Sequence, residues 1–205
     1  MYSEEDITFG NADGIPYIVI DNVFNEDEVK RIQEEFVRLK PALLPPELTQ
    51  GAKTVTNGYV KKNKAVFLSD VYNNPDVSDI YKLSRRIFNP IMVDLYMSKD
   101  PMWRLFRYPL DTHYLVSYYE EDDSYEKHKD LATATLLYWQ NQEPLQFEGG
   151  DLVLEEDTVI PYKSNRCVIF PSFTYHAVTP VKMLDVKTDM PGRCVLSIFF
   201  NISSY

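Results

Sequence analysis

From residue 103 onward the chain is a succession of short runs rich in β-branched and aromatic residues, and no other feature limits its fold as strongly. The runs are WRLFRY, THYLVSYY, ATATLLYW, DLVLEE, RCVIFP, YHAVTPV and CVLSIFFNI, most of them separated by turn-type residues. Many short strands at this spacing read as a sandwich or barrel.

The N-terminal half has a different period. Ile15–Ile20 is a short β-type run. Asn25, with Glu28 three residues later, forms a capping-box pattern that opens a helix. Val29, Ile32, Phe36 and Leu39 then recur at helical spacing until Pro41. A second helix is expected after Asn74, with Pro75 at its first position and Val77, Ile80, Leu83 and Ile87 as its apolar stripe. Pro90 should end or kink it. The expected fold class is α+β, mainly β: helices supporting a jelly roll. One domain should span 1–205, with helical support and lid over about 1–102 and the core over about 103–205.

Charge and composition narrow the function. The net charge is −10, which opposes binding to phosphate backbones and anionic lipid surfaces. Nucleic acid and membrane are therefore not expected as partners. The start, MYSEEDITFG, is acidic where a secretory leader would be basic and then apolar. Two cysteines, Cys167 and Cys194, both in β-type runs, suit buried free thiols and a reducing, cytoplasmic setting. Residues 41–64 hold three prolines and two glycines, with Lys53, Lys61, Lys62 and Lys64 making them locally basic. Such a stretch is either a solvated connection or a segment that covers a substrate.

The chain has three histidines, His113, His128 and His176, and two of them, His128 and His176, sit in informative contexts. His128 and Asp130 stand two apart, so on extended chain they project from one face. His176 follows in FPSFTYHAVTPV, on a run that can return beside them. Two histidines and a carboxylate make a facial triad that leaves adjacent metal positions open, as non-haem iron(II) oxygenases require. Zinc, nickel or manganese could use the same ligands. His-x-Asp alone is weak because Asp is common. The order HKD, FEGGDLVL, VIFPSFTYHAVTPV and GRCVLSIFF gives it weight. His113 has no motif around it and reads as a structural or supporting residue.

With that order, residues 112–201 resemble the catalytic core of the 2-oxoglutarate/iron(II) oxygenase superfamily, especially its prolyl 4-hydroxylase-like branch. The resemblance implies a double-stranded β-helix core, with His128, Asp130 and His176 as catalytic metal ligands. It implies Fe(II) as the metal, 2-oxoglutarate and O2 as cosubstrates, and ascorbate as a supporting reductant. Arg193 is similar to the family's basic residue for the cosubstrate C5 carboxylate. Tyr138 matches a tyrosine that shares this carboxylate, and Tyr118 another that lines the pocket. Arg193 follows His176 by 17 positions, so KMLDVKTDMPG would be an enlarged turn. Arg166 is the nearest competing cation.

The implied reaction is hydroxylation of a C–H bond with release of succinate and CO2. The resemblance points first to a prolyl residue in a protein or peptide. A free amino acid or other small molecule is the alternative, and a metal-binding module without turnover a third reading. Phe199, six residues after Arg193, stands where prolyl hydroxylases often carry Trp and nucleobase demethylases typically carry Arg.

Overall fold

The protein is described by a computed structural model covering residues 3–49, 53–54, 58–59, 61–108, 110–184 and 188–202. Its N-terminal half contains β1 (Ile7–Ala12), β2 (Ile15–Ile20), α1 (Glu26–Leu39), β3 (Lys53–Thr54), β4 (Gly58–Tyr59) and β5 (Lys64–Phe67). Three short helices follow: α2 (Leu68–Val71), α3 (Asp79–Ser84) and α4 (Pro90–Lys99). The remainder is β: β6 (Leu110–Tyr119), β7 (Tyr125–His128), β8 (Ala134–Trp139), β9 (Phe147–Gly149) and β10 (Leu152–Leu154). It continues through β11 (Thr158–Ile160), β12 (Arg166–Pro171), β13 (His176–Val178), β14 (Val181–Met183) and β15 (Arg193–Ile202).

Seven strands form the larger sheet, in the order β1-β2-β12-β8-β15-β6-β5. Four form the smaller one, β11-β10-β13-β7, and β14-β9 and β3-β4 are separate pairs. All pairings are antiparallel. The two main sheets form the double-stranded β-helix. Strands β1, β2 and β5 come from the first third of the chain and extend the larger sheet at both edges.

The period-two rule of a strand explains how this sheet serves two cores. On β8, Ala134, Leu136 and Tyr138 pack with the helices, while Leu137 and Trp139 pack toward the smaller sheet. On β12, Cys167 and Ile169 take the helix side, and Val168 and Phe170 take the other. Both cysteines are free and buried, and burial pushes each thiol's pKa up.

Helix α1 starts as its capping box requires. The Asn25 side chain accepts from the Glu28 amide at 3.0 Å, and the Glu28 carboxylate accepts from the Asn25 amide at 3.1 Å. The second helical region departs from expectation. Asn74 and Pro75 open only a 3-10 turn, Pro75–Val77, and Val77 is 61% exposed rather than part of an apolar stripe. The cause is a second cap. Ser78 accepts from the Tyr81 amide, and buried Glu35 of α1 accepts from the Ser78 hydroxyl at 2.6 Å and the Ile80 amide at 3.0 Å. Glu35 thereby restarts the chain as α3. The helical run does end before Pro90, at Phe88, with Asn89 extended, and Pro90 then opens α4, with the Asn89 side chain accepting from the Met92 amide.

The run WRLFRY is also not a strand. It lies in a 3-10 helix, Pro101–Arg107, capped by Asp100, whose side chain accepts from the Met102 amide at 2.8 Å. An Asp-Pro start signal outweighs the β preference of aromatic residues here. Among the described residues, no helix is long and apolar enough to cross a membrane.

Candidate active site

His128, Asp130 and His176, singled out from the sequence, meet on the smaller sheet. His128 closes β7 and His176 opens β13, and these strands pair so that His128 and His176 are direct cross-strand partners. Their ring centroids are 4.1 Å apart. Asp130 sits just beyond β7. Its Oδ1 is 3.7 Å from His128 Nε2 and its Oδ2 is 3.5 Å from His176 Nε2. One donor atom from each residue lies within 4.8 Å of the others.

The donor set suits a divalent metal in more than spacing. Nδ1 of His128 lies 2.8 Å from the Glu126 carbonyl, and Nδ1 of His176 lies 3.0 Å from the Thr174 carbonyl. A carbonyl only accepts, so each Nδ1 carries the proton and each Nε2 keeps its lone pair. Burial pushes the pKa of both imidazoles down to about 4, so they are neutral near pH 7. Asp130 is oriented by the Thr135 hydroxyl, which donates to Oδ2 at 2.6 Å, and its amide donates to the Ser172 carbonyl at 3.1 Å. Ser172 Oγ in turn lies 2.8 Å from Thr135 Oγ1. Burial raises the Asp130 pKa while the Thr135 hydrogen bond opposes the shift.

The triad faces a cavity of about 440 Å3. Arg193, the first residue of β15, lines it and is 1% exposed. Its Nε donates to the Gly150 carbonyl at 2.7 Å. Its guanidinium carbon stands 4.8 Å from the Tyr119 ring centroid and 5.5 Å from those of Trp139 and Tyr162. Nη1 and Nη2 are buried and have no hydrogen-bond partner among the described residues. A planar fork with two open donors in an aromatic box suits a carboxylate. This orphaned pair is what a 2-oxoglutarate C5 carboxylate would satisfy.

The surroundings of Arg193 explain the glycine pair of FEGGDLVL. Gly149 and Gly150 both have positive φ, 72° and 68°. A Cβ on Gly150 would stand 2.6 Å from Arg193 Cδ. On the other side, Asn141 Oδ1 accepts from the Cys194 amide at 3.0 Å and Asn141 Nδ2 donates to the Gly192 carbonyl at 2.5 Å. Asn141 carries no motif, and no sequence signal singled it out.

Tyr118 and Tyr138 are placed elsewhere. Both belong to the core on the helix side of the larger sheet and do not line the cavity. Tyr119, the cross-strand partner of Arg193, lines it instead, and burial pushes its phenol pKa up to about 12. Tyr118 acts from behind: its hydroxyl accepts from the Gly192 amide at 3.0 Å, next to Arg193. The Tyr138 hydroxyl lies 3.1 Å from Gln140 Oε1. Arg166 is engaged far from the triad, in a paired contact with Asp21 at 2.7 and 3.0 Å. His113 and Phe199 are cross-strand partners and both line the cavity. Lys61 and Asn63 line it too, from the stretch read as a connection or lid. Parts of that stretch, residues 50–52, 55–57 and 60, lie outside the described residues, as do 185–187 of the turn before Arg193.

Comparison with known proteins agrees with this arrangement. A family model described as the 2OG-Fe(II) oxygenase superfamily matches residues 114–201. A sequence comparison with curated proteins found no match. Among solved structures, the chain is similar to a 2OG-Fe(II) oxygenase family oxidoreductase from Burkholderia pseudomallei, with TM-score 0.60 and 10% identity, covering 92% of this chain and 86% of that one. It is similar to a Pseudomonas putida prolyl-4-hydroxylase, with TM-score 0.57 and 14% identity, covering 92% and 93%. It is also similar to SnoN, a non-heme alpha-ketoglutarate-dependent epimerase from nogalamycin biosynthesis, with TM-score 0.55 and 15% identity, covering 90% and 78%. Residues 114–201 thus match the family model of the 2OG-Fe(II) oxygenase superfamily, and over most of its length the chain is similar in fold to the P. putida prolyl-4-hydroxylase.

Proposed function

We propose that the chain is an Fe(II)- and 2-oxoglutarate-dependent dioxygenase that hydroxylates a C–H bond of a prolyl residue in a protein or peptide, releasing succinate and CO2. The observation that carries the oxygenase reading is the pairing of two unsatisfied sets in one cavity. Three convergent metal donors face it, and so does a buried guanidinium with two free nitrogens. Among the described residues, nothing pairs the two guanidinium nitrogens, and the three metal donors still converge on one point.

When bound, the iron and 2-oxoglutarate supply the oxidising chemistry. The chain's own residues orient and exclude water. His128, Asp130 and His176 would hold the metal. Arg193 takes the distal carboxylate of the cosubstrate, and Tyr119, Trp139 and Tyr162 keep that end apolar on its flanks. Thr135 and Ser172 fix Asp130, and Tyr118 and Asn141 fix the start of β15. Phe199 and Leu115 add apolar side chains to the cavity lining.

A prolyl target is supported by the fold shared with the P. putida prolyl-4-hydroxylase and by an aromatic side chain at Phe199. Fully exposed Leu131 at the mouth suits an extended polypeptide. The small-molecule reading is favoured by one feature, a buried cation at Lys61 that a neutral prolyl ring would leave unpaired. Succinate formation with iron(II), ascorbate and 2-oxoglutarate, with and without a proline-peptide library, tests the reading. Stimulation by peptides is expected. Stimulation only by small molecules would move the assignment to the second reading.

A further inference from the structure

The cavity holds a second buried cation that the oxygenase reading does not use. Lys61 is 3% exposed and lines the cavity. It forms an isolated antiparallel bridge with Tyr125, which also lines the cavity. Residues directly opposite across such a bridge project from the same face, so Lys61 is aimed inward by backbone pairing. Asn63, two residues on, shares that face and is 1% exposed. Its Oδ1 is buried with no hydrogen-bond partner among the described residues. Lys61 has no ion pair or side-chain hydrogen bond among the described residues, and burial holds its pKa down to about 8.

Charge balance then argues for a ligand. Asp130 is the only carboxylate among the described lining residues, and the metal donor set already uses it. Two buried cations, Arg193 and Lys61, thus face the cavity with no anion left for either. One cosubstrate carboxylate answers Arg193. An ammonium kept buried and unpaired is costly, as is a buried ion pair that has lost one partner.

We propose that Lys61 and Asn63 form the recognition point for a carboxylate-bearing primary substrate. Lys61 Nζ pairs with that carboxylate, and the Asn63 side-chain oxygen accepts an N–H from the same molecule. The carboxylate comes from a free amino acid or from an acidic residue beside the target in a peptide. This rests on the oxygenase reading above and names its substrate class.

The test uses two probe pairs, each differing in one carboxylate. They are L-proline with L-prolinamide, and an acetylated, amidated Pro-Asp peptide with its Pro-Asn counterpart. Binding is measured by calorimetry on the full chain loaded with zinc(II) and 2-oxoglutarate, which cannot turn over. The carboxylate member of one pair should bind roughly 30-fold tighter. Lys61→Met and Lys61→Gln should remove that preference, and Lys61→Arg should restore part of it. Asn63→Ala should weaken both members of the pair.

Preference in the first pair assigns a free amino acid, and preference in the second an acidic peptide. The proposal is overturned by no preference in either pair, by no binding of any probe, or by a preference that survives Lys61→Met. It is equally overturned if Lys61→Met instead weakens 2-oxoglutarate binding, which would give the cation to the cosubstrate. Succinate release by the unaltered protein without substrate decides the oxygenase reading separately.

Discussion

Replacing Arg193 by Met should damage cosubstrate binding far more than it damages the fold. In the free protein the guanidinium is almost fully buried, and two of its three nitrogens lack partners among the described residues. Three terms set the stability change. Losing the Nε–Gly150 hydrogen bond costs about 1.5–3 kcal/mol, as for bonds to charged groups. Losing the contacts with Tyr119, Trp139 and Tyr162 costs about 2 kcal/mol. Against these, an unpaired ion no longer has to be desolvated, which returns several kcal/mol, and Met refills part of the volume. The net change should lie within about 2 kcal/mol of zero.

Binding behaves differently. Removing one partner of a buried, hydrogen-bonded charge pair costs about 2–5 kcal/mol, or roughly 30- to several-thousand-fold in Kd. Urea unfolding of the metal-free protein gives the first quantity. Calorimetric titration of 2-oxoglutarate into the anaerobic iron(II)-loaded protein gives the second. An unchanged 2-oxoglutarate Kd would place the carboxylate anchor elsewhere. A stability loss above about 4 kcal/mol would make Arg193 chiefly structural.

Gly150→Ala should act on the same contact from outside, because its Cβ would meet Arg193 Cδ at 2.6 Å on a backbone with φ of 68°. Strain and overpacking together should cost about 2–5 kcal/mol in a denaturant midpoint experiment, with weaker 2-oxoglutarate binding; a neutral change would refute the packing argument. Thr135→Val removes the hydroxyl that orients Asp130, and metal affinity measured by competition with a chelator should fall about 10–100-fold. The metal-free protein should also lose stability in acid. His176 is held at about 4 in the folded protein, against about 6.5 when unfolded, so the unfolded chain takes up protons first. Its contribution, on the order of 3 kcal/mol, is complete above pH 6.5 and lost between 6.5 and 4. Asp130, raised by burial, works in the opposite direction, so the clean readout is the difference between the native protein and His176→Phe in urea midpoints at pH 7 and 5. A pH difference no smaller in the variant would contradict it.

The triad was legible because its order along the chain reflects its place on the strands. HKD ends β7, and His176 begins the strand that pairs with it. Arg193 was legible despite the long turn before it, because the turn holds β14, which pairs with β9 without shifting β15. The tyrosines were not, because adjacent residues on a strand face opposite ways and spacing alone does not give the parity. Tyr118 and Tyr119 differ by one position and by which core they enter. The helical half was only partly legible. Its expected long helix breaks at Ser78 because of a hydrogen bond that Ser78 donates to a residue 43 positions away, Glu35. Lys61 was legible only as one lysine of a basic stretch, and Asn63 not at all, for a similar reason: the inward aim comes from the bridge of Lys61 to Tyr125, far along the chain.

The most direct measurement of the central claim is iron(II) binding by anaerobic equilibrium dialysis, on the native protein and on His128→Ala, Asp130→Ala and His176→Ala. One iron per chain is expected for the native protein, with each substitution reducing it sharply while near-ultraviolet circular dichroism shows the fold retained. One iron per chain in His176→Ala, held as tightly as in the native protein, would contradict the assignment of these three residues as the metal centre.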